Sequence, residues 1–101
     1  MSSYLYIWAF HVRPGAEAEF ERHYGPDGTW VALFRQAPGY LDTRLLKDRA
    51  VPGRYVTIDR WESEGAYRAF RERHAAEHDA IDRACEALTF EETPLGAYDE
   101  D

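Results

Sequence analysis

The stretch YLYIWAFHV, residues 4–12, decides the fold of this chain. Its aromatic and branched residues are typical of a β-strand, in which successive side chains point to opposite faces of a sheet. A strand with one wet face would alternate apolar and polar residues, and this one is apolar on both sides. The two sets are Leu5, Ile7 and Ala9 on one side, and Tyr4, Tyr6, Trp8, Phe10 and Val12 on the other.

Glycine and proline divide the rest of the chain into short blocks. Helical composition or spacing predicts helices in the blocks that contain Ala and Glu or an apolar stripe, and alternation predicts strands in the others. The predicted elements are helices over 16–24, 29–37 and 66–85, the last either straight or kinked, and strands over 4–12, 40–47, 54–61 and 89–93, followed by an acidic tail, 98–101, that frays. Residues 48–53 form the hairpin loop, and Ser63 caps the last helix.

This order, β-α-β-β-α-β, predicts an α+β fold of the ferredoxin-like kind, with four antiparallel strands in one sheet and the helices on one face. A chain of 101 residues has the usual length of one domain. We therefore expect a single domain, 1–101, with an ordered core over about residues 4–96.

The apolar character of the first strand also predicts a partner. We assign Tyr6, Trp8 and Phe10 to the face that carries no helix, where they would expose a larger apolar patch than a monomer usually tolerates. A second copy of the chain would cover this dimer face, which gives a homodimer. The alternative is a monomer whose loops fold over the same face.

Charge and cysteine content exclude several classes of function. Twelve Lys and Arg against nineteen Asp and Glu give a net charge of −7, which repels nucleic acid and anionic membranes. The single Cys85 forms no intrachain disulfide, and Cys and His do not occur at zinc-binding spacing. The first residues show no basic leader, and their apolar run of about nine residues is too short to span a bilayer. We expect a cytoplasmic protein without a metal site.

Three motifs point to a known family. The first is YVTIDRWESE, residues 55–64, followed by Ala66, Tyr67 and Phe70, a strand that ends in Trp and leads through an acidic turn into a helix. The others are PGAEAEF, residues 14–20, and APGY, residues 37–40. In this order and at these separations they resemble the antibiotic biosynthesis monooxygenase (ABM) family over about residues 4–96.

The resemblance implies a dimeric α+β barrel of two face-packed sheets, with a ligand pocket between each sheet and its helices. Some members of that family oxygenate polycyclic phenols without flavin or metal, others degrade heme, and many have no assigned reaction. The heme-degrading branch relies on an Asn, a Trp and a His, whereas this sequence contains no Asn and has Phe70 nearest the Trp position. Only His78 is a partial match, which weakens the heme interpretation.

His74 and His78 are the candidate catalytic residues. A spacing of four places both imidazoles on one helix face, and Tyr67 and Phe70 turn that face toward the sheet. One of them would act as a general base that removes a phenolic proton, so that the ring can transfer an electron to oxygen. The alternatives are two half-buried structural histidines or, less well supported, half of a metal site.

The other candidate pocket residues are aromatic. Trp61, at a strand end, would stack on a flat ligand or fill the core beneath the second helix. Tyr67 and Phe70 would line the pocket, and His11 would reach its mouth from the far end of the first strand. The alternative is that Tyr67 and Trp61 only pack in the core.

The sequence therefore favours a cofactor-independent monooxygenase-type enzyme acting on a small aromatic or quinol substrate. The main alternative is a non-catalytic dimeric protein that binds a small molecule or is stress-related. Heme binding or degradation is a weaker alternative, as is an isomerase or decarboxylase.

Overall fold

The computed structural model describes residues 2–101, which form one antiparallel sheet and a layer of helices. Its elements, in chain order, are β1 (Ser3–Val12), α1 (Glu17–Tyr24), α2 (Thr29–Phe34), β2 (Tyr40–Lys47), β3 (Arg54–Trp61), α3 (Glu64–Arg73), α4 (Ala75–Cys85), a short 3-10 turn (Glu86–Leu88) and β4 (Thr89–Glu100). This order confirms the predicted β-α-β-β-α-β arrangement, with each helical region divided into two helices.

The four strands lie in the order β2-β3-β1-β4, and every neighbouring pair is antiparallel. The ferredoxin-like α+β prediction is therefore confirmed. β4 is longer than predicted, because its last residues pair with the start of β1: Tyr98 lies opposite Leu5, and Glu100 opposite Ser3. The acidic tail thus continues the sheet, and the Glu100 carboxylate lies 3.8 Å from Arg60.

Local sequence explains where the helices break. α1 ends at Tyr24 because Gly25 and Pro26 follow, and proline supplies no backbone donor. α3 begins after Ser63, whose Oγ accepts a hydrogen bond from the Ala66 amide at 3.1 Å, as the predicted cap requires. α3 and α4 are separated by His74 alone, whose backbone (φ −113°, ψ 28°) lies outside the helical region.

A close approach of β2 to α3 explains one glycine. Gly39 precedes β2 with φ +91°, and a Cβ there would lie 2.6 Å from the Cβ of Ala66. Gly15 has a similar φ of +89°, yet, apart from its chain neighbours, no atom of the described residues lies within 4 Å of the position that its Cβ would take. Gly39 is therefore required by both backbone and packing, and Gly15 by backbone alone.

The helices cover the face of the sheet that carries the large aromatic residues of β1, so the assignment of Tyr6, Trp8 and Phe10 to a dimer face was wrong. The Phe10 ring lies 5.3 Å from Phe20 and 4.9 Å from Tyr24, both on α1. Both faces of β1 are apolar, so hydrophobicity alone could not tell them apart. The two faces differ in the size of their side chains instead, and the large rings are the ones that fill the space beneath the helices.

None of the helices in residues 2–101 packs on the opposite face of the sheet, which is called the open face below. Its centre holds aliphatic residues of β1 and β3 that are partly exposed, and its edges hold larger exposed side chains from β2 and β4. The apolar residues of this face include Leu5, Ile7, Val56, Ile58, Leu46 (48% exposed), Phe90 (54%) and Tyr98 (50%).

Candidate functional site

A partly enclosed cavity of about 280 Å³ lies between the sheet and the helices. Side chains from all four strands form its floor, and side chains from all four helices form its walls and roof. Its aromatic lining consists of Tyr6, Trp8, Phe10, Tyr24, Trp30, Phe34, Tyr67 and Phe70. Its polar lining consists of Thr43, Thr57, Asp59, Arg71, His78, Asp82 and Glu92.

The aromatic floor is a ladder of rings on β1. Tyr6 and Trp8 are 5.9 Å apart and inclined by only 16°, and Trp8 and Phe10 are 6.2 Å apart and inclined by 23°. The ladder follows from strand geometry, since residues two apart project from the same face. Such a surface suits a flat aromatic ligand, which binds by stacking and by burial of apolar area.

A carboxylate lies at the polar end of this floor. Asp59 on β3 sits between Tyr6 of β1 and Thr43 of β2 in the strand register. The Thr43 hydroxyl donates a hydrogen bond to Asp59 Oδ1 at 2.7 Å, and the Tyr40 hydroxyl lies 2.7 Å from Thr43 Oγ1. Burial raises the pKa of Asp59 to about 6, although the Thr43 hydrogen bond opposes the shift.

His78 on α4 forms part of the roof. Its ring centroid lies 4.8 Å from that of Trp30, in an edge-to-face arrangement, and 6.3 Å from that of Phe70. Its Nδ1 is buried and has no hydrogen-bond partner among residues 2–101. Burial lowers the pKa of His78, and the charge of Arg71 lowers it further, so the imidazole is neutral at neutral pH.

The remaining charged groups stand around the cavity. Arg71 donates a hydrogen bond from Nη1 to the Tyr67 hydroxyl at 3.0 Å. Glu92 enters from β4, and burial raises its pKa, with a further contribution from the charge of Asp82. With one cation against three carboxyl groups, the cavity is better suited to a neutral ligand with hydroxyl donors than to an organic anion.

The structure brings together three of the predicted site residues. Tyr67, Phe70 and His78 all line the cavity. Trp61 does not, because it is 0% exposed and lies under Phe34, Tyr67 and Phe70 in the core. That packing corresponds to the structural alternative stated for Trp61.

The other two predicted residues lie elsewhere. His74 is outside the cavity, because the helix breaks at this residue and an i, i+4 pair on one face requires a continuous helix. The His74 ring packs on Phe70, and its Nδ1 lies 3.0 Å from a Glu77 carboxylate oxygen. His11 projects from the open face, where its ring centroid is 4.4 Å from that of Phe90. The assignment of His11 to the pocket mouth was wrong because the helices cover the other face of β1.

Sequence reasoning missed several cavity residues. Asp59 was not identified as a site residue, and its neighbour Arg60 pairs with Asp42 through two hydrogen bonds of 3.1 and 2.6 Å. The sequence did contain a signal: side chains two residues apart in a strand point to the same face, so Asp59 shares a face with Trp61 and not with Arg60. Trp30 was placed on a helix, but its approach to His78 depends on how α2 and α4 pack.

In residues 2–101, no group of three or more His, Cys, Asp and Glu side chains is arranged to hold a metal ion. Within the same residues, none of the helices has the length and apolar composition that a membrane span requires.

Comparison with known proteins gives a consistent result. The chain is similar to the structure of SnoaB, described as a cofactor-independent oxygenase from Streptomyces nogalater, with 27% identity and a TM-score of 0.73 over 97% of this chain and 92% of that one. A single-substitution mutant of SnoaB gives 25% identity, a TM-score of 0.74 and the same coverage.

A second solved structure agrees in fold. A Bordetella bronchiseptica protein, for which the antibiotic biosynthesis monooxygenase family is proposed, has 24% identity and a TM-score of 0.76 over 100% of this chain and 97% of that one. Compared by sequence with curated proteins, the chain has no significant match. The sequence model of the family described as antibiotic biosynthesis monooxygenase matches residues 4–80. The chain therefore belongs to the antibiotic biosynthesis monooxygenase family.

Proposed function

We propose that this protein is a cofactor-independent monooxygenase-type enzyme that acts on a small aromatic substrate with phenol or quinol hydroxyl groups. The observation that carries the proposal is the cavity itself, in which stacked rings form much of the floor, further aromatic rings line the walls, and a few polar groups stand among them. Small-molecule sites typically combine an apolar lining with a few placed polar groups, and they begin at volumes of about 300 Å³.

The chemistry needs little from the protein beyond this arrangement. Removal of a proton from a phenol leaves a phenolate, whose ring transfers an electron to dioxygen more readily than the neutral ring does. The aromatic walls would orient the ring and exclude water, and a base would take the proton. Two groups of the cavity are suited to that role, namely His78 and Asp59. The similarity to SnoaB supports a reaction of this type without a cofactor.

Oxygen uptake tests the proposal. The purified protein should consume dioxygen in the presence of anthrone or a polycyclic hydroquinone, and His78→Ala should change the turnover because His78 lines the cavity. His11→Ala is the matched control, because His11 projects from the open face. Ligand binding without any oxygen uptake across a substrate panel would contradict the proposal and favour a binding protein. A hemin Soret shift that is lost in His78→Ala would contradict cofactor independence.

We also propose that the open face pairs with a second copy of the chain. Leu5, Ile7, Val56 and Ile58 form a continuous aliphatic centre on this face, where no helix covers them. Asp42 and Arg60 beside it give a rim of both signs, which can pair with its own copy across a two-fold axis. The dimer interface is thus moved from the aromatic side of β1 to its aliphatic side.

Light scattering tests the pairing. The wild-type protein should have about twice the chain mass of 11.7 kDa. Ile58→Lys, at the centre of the open face, should produce monomers by placing a charge in an apolar interface. Val51→Lys is the control, since Val51 is 40% exposed in the hairpin loop. A wild-type monomer would contradict the proposal.

A further inference from the structure

We infer that Asp59, rather than His78, accepts the proton of the substrate hydroxyl in this cavity. This inference rests on the proposed function in one respect, namely that the ligand is a phenol or quinol. The step is a simple transfer: the O–H bond of the substrate breaks, an O–H bond forms on the Asp59 carboxylate, and the electron pair stays on the substrate as phenolate.

The position of Asp59 supports this role. It lies within β3 and is paired on both sides by neighbouring strands, so its backbone is fixed more firmly than that of a loop residue. It shares the inward face of β3 with Thr57, and both line the cavity. A ring stacked on Tyr6 would therefore have its edge beside the carboxylate.

A hydrogen-bond chain orients one oxygen of that carboxylate and leaves the other available. Thr43 has a single hydroxyl proton, which it donates to Asp59 Oδ1; it must therefore accept the proton of the Tyr40 hydroxyl. The direction of the chain is Tyr40 to Thr43 to Asp59. No residue of 2–101 donates a hydrogen bond to Oδ2, and a ligand hydroxyl in the cavity is the donor that it lacks.

His78 is less well prepared for the same step. A histidine that acts as a base is normally oriented by a second group on its other ring nitrogen. Among residues 2–101 the Nδ1 of His78 has no such partner, and its ring packs against those of Trp30 and Phe70. Its better-supported role is a contact with the bound ring.

Other ionisable groups share the cavity and affect its pH dependence. Those that face it with Asp59 are Tyr6 on β1, Tyr24 on α1, Tyr67 and Arg71 on α3, His78 and Asp82 on α4, and Glu92 on β4. Arg71 is the only cation in this set, and it lies at Tyr67. Since burial places the pKa of Asp59 at about 6, the carboxylate form is available above that pH.

A binding measurement tests Asp59 without turnover. The tryptophans of the cavity, Trp8 and Trp30, allow fluorescence titration with a naphthol and with its methyl ether, which lacks the donor. Wild type should bind the naphthol about tenfold or more tightly than the ether, because a hydrogen bond to a charged acceptor is strong. Asp59→Asn should lose most of this preference, and Asp27→Asn, at an exposed residue, should retain it.

Oxygen uptake provides the second readout. Asp59→Asn should lower the rate by about 10²- to 10⁴-fold and remove the fall in rate below about pH 6. Thr43→Val removes the hydrogen bond that favours the carboxylate, so it should move that fall to higher pH. The inference is overturned if Asp59→Asn keeps both the naphthol preference and the acidic fall, or if the fall disappears in His78→Gln instead.

The two readouts separate failure of this inference from failure of the proposed function. If wild type consumes no oxygen but still prefers the naphthol in an Asp59-dependent manner, the oxygenase proposal fails and the role of Asp59 as the acceptor of the ligand hydroxyl stands. If wild type consumes oxygen and Asp59→Asn leaves rate and preference unchanged, the oxygenase proposal stands and the inference fails.

Discussion

Replacing the cavity carboxylate should stabilise the protein at neutral pH. The pKa of Asp59 rises from its ordinary value of 3.8 to about 6, mainly because the group is buried. A carboxyl group with a raised pKa in the native state binds its proton more tightly there than in the unfolded chain. Its stabilising contribution is therefore complete below pH 3.8 and is lost as the pH rises through about 6.

The size of the effect follows from the shift. About two pKa units at about 1.36 kcal/mol each give an upper limit of about 3 kcal/mol. Water in the partly open cavity reduces this value, so we expect about 1 to 3 kcal/mol. Asp59→Asn does not titrate, and the amide oxygen of this variant still accepts the hydrogen bond of Thr43. At about pH 8 it should be more stable than wild type by that amount, and at about pH 4 the gain should disappear.

Urea unfolding at fixed protein concentration, measured at both pH values, provides the assay. Asp42→Asn is the matched control with the opposite sign, because its hydrogen bonds from Arg60 lower the pKa of Asp42. That variant should lose stability at the higher pH. A gain for Asp59→Asn that is equal at both pH values, or a loss at the higher one, would refute the argument that the native state holds a destabilised carboxylate.

Two further predictions concern the start of α3, where Ser63 caps the helix and Ala66 packs against Gly39. Gly39→Ala should destabilise the protein by more than the roughly 1 to 3 kcal/mol of a strained backbone, because the new Cβ meets Ala66. Gly15→Ala is the control and should show the backbone cost alone. Equal losses of stability in thermal unfolding would contradict the steric argument. Ser63→Ala should cost about 1 kcal/mol by removing the cap on the Ala66 amide, and Ser63→Asp should restore it; unchanged urea midpoints for Ser63→Ala would rule out a contribution from the cap.

The fold was predictable because its signals are local. Glycine and proline at 14–15, 25–28, 38–39 and 52–53 separate the elements, and the aromatic and branched residues of β1 identify it as a strand. The acidic end of β4 was not predictable, because Asp99 and Glu100 favour solvent and are held in the sheet by pairing with Tyr4 and Ser3.

The site was predictable only in part, because tertiary packing decides which face of the sheet the helices cover and where a helix breaks. Tyr67, Phe70 and His78 could be identified from the apolar stripe of the second helical region. His74 could not be excluded, since nothing at that position in the sequence announces a break. Asp59 was missed although it lies two residues from Trp61 on the same face of β3, because a carboxylate within a strand is more often a surface residue than a cavity residue.

The ladder of rings on β1 has a consequence for selectivity. Tyr6, Trp8 and Phe10 already pack on one another and on neighbouring rings, so few of their torsions remain to be frozen when a guest arrives. A cavity with such a rigid aromatic floor should select ligands by their thickness. Planar polycyclic aromatic ligands should bind, whereas their hydrogenated counterparts with the same number of rings, which are puckered, should not.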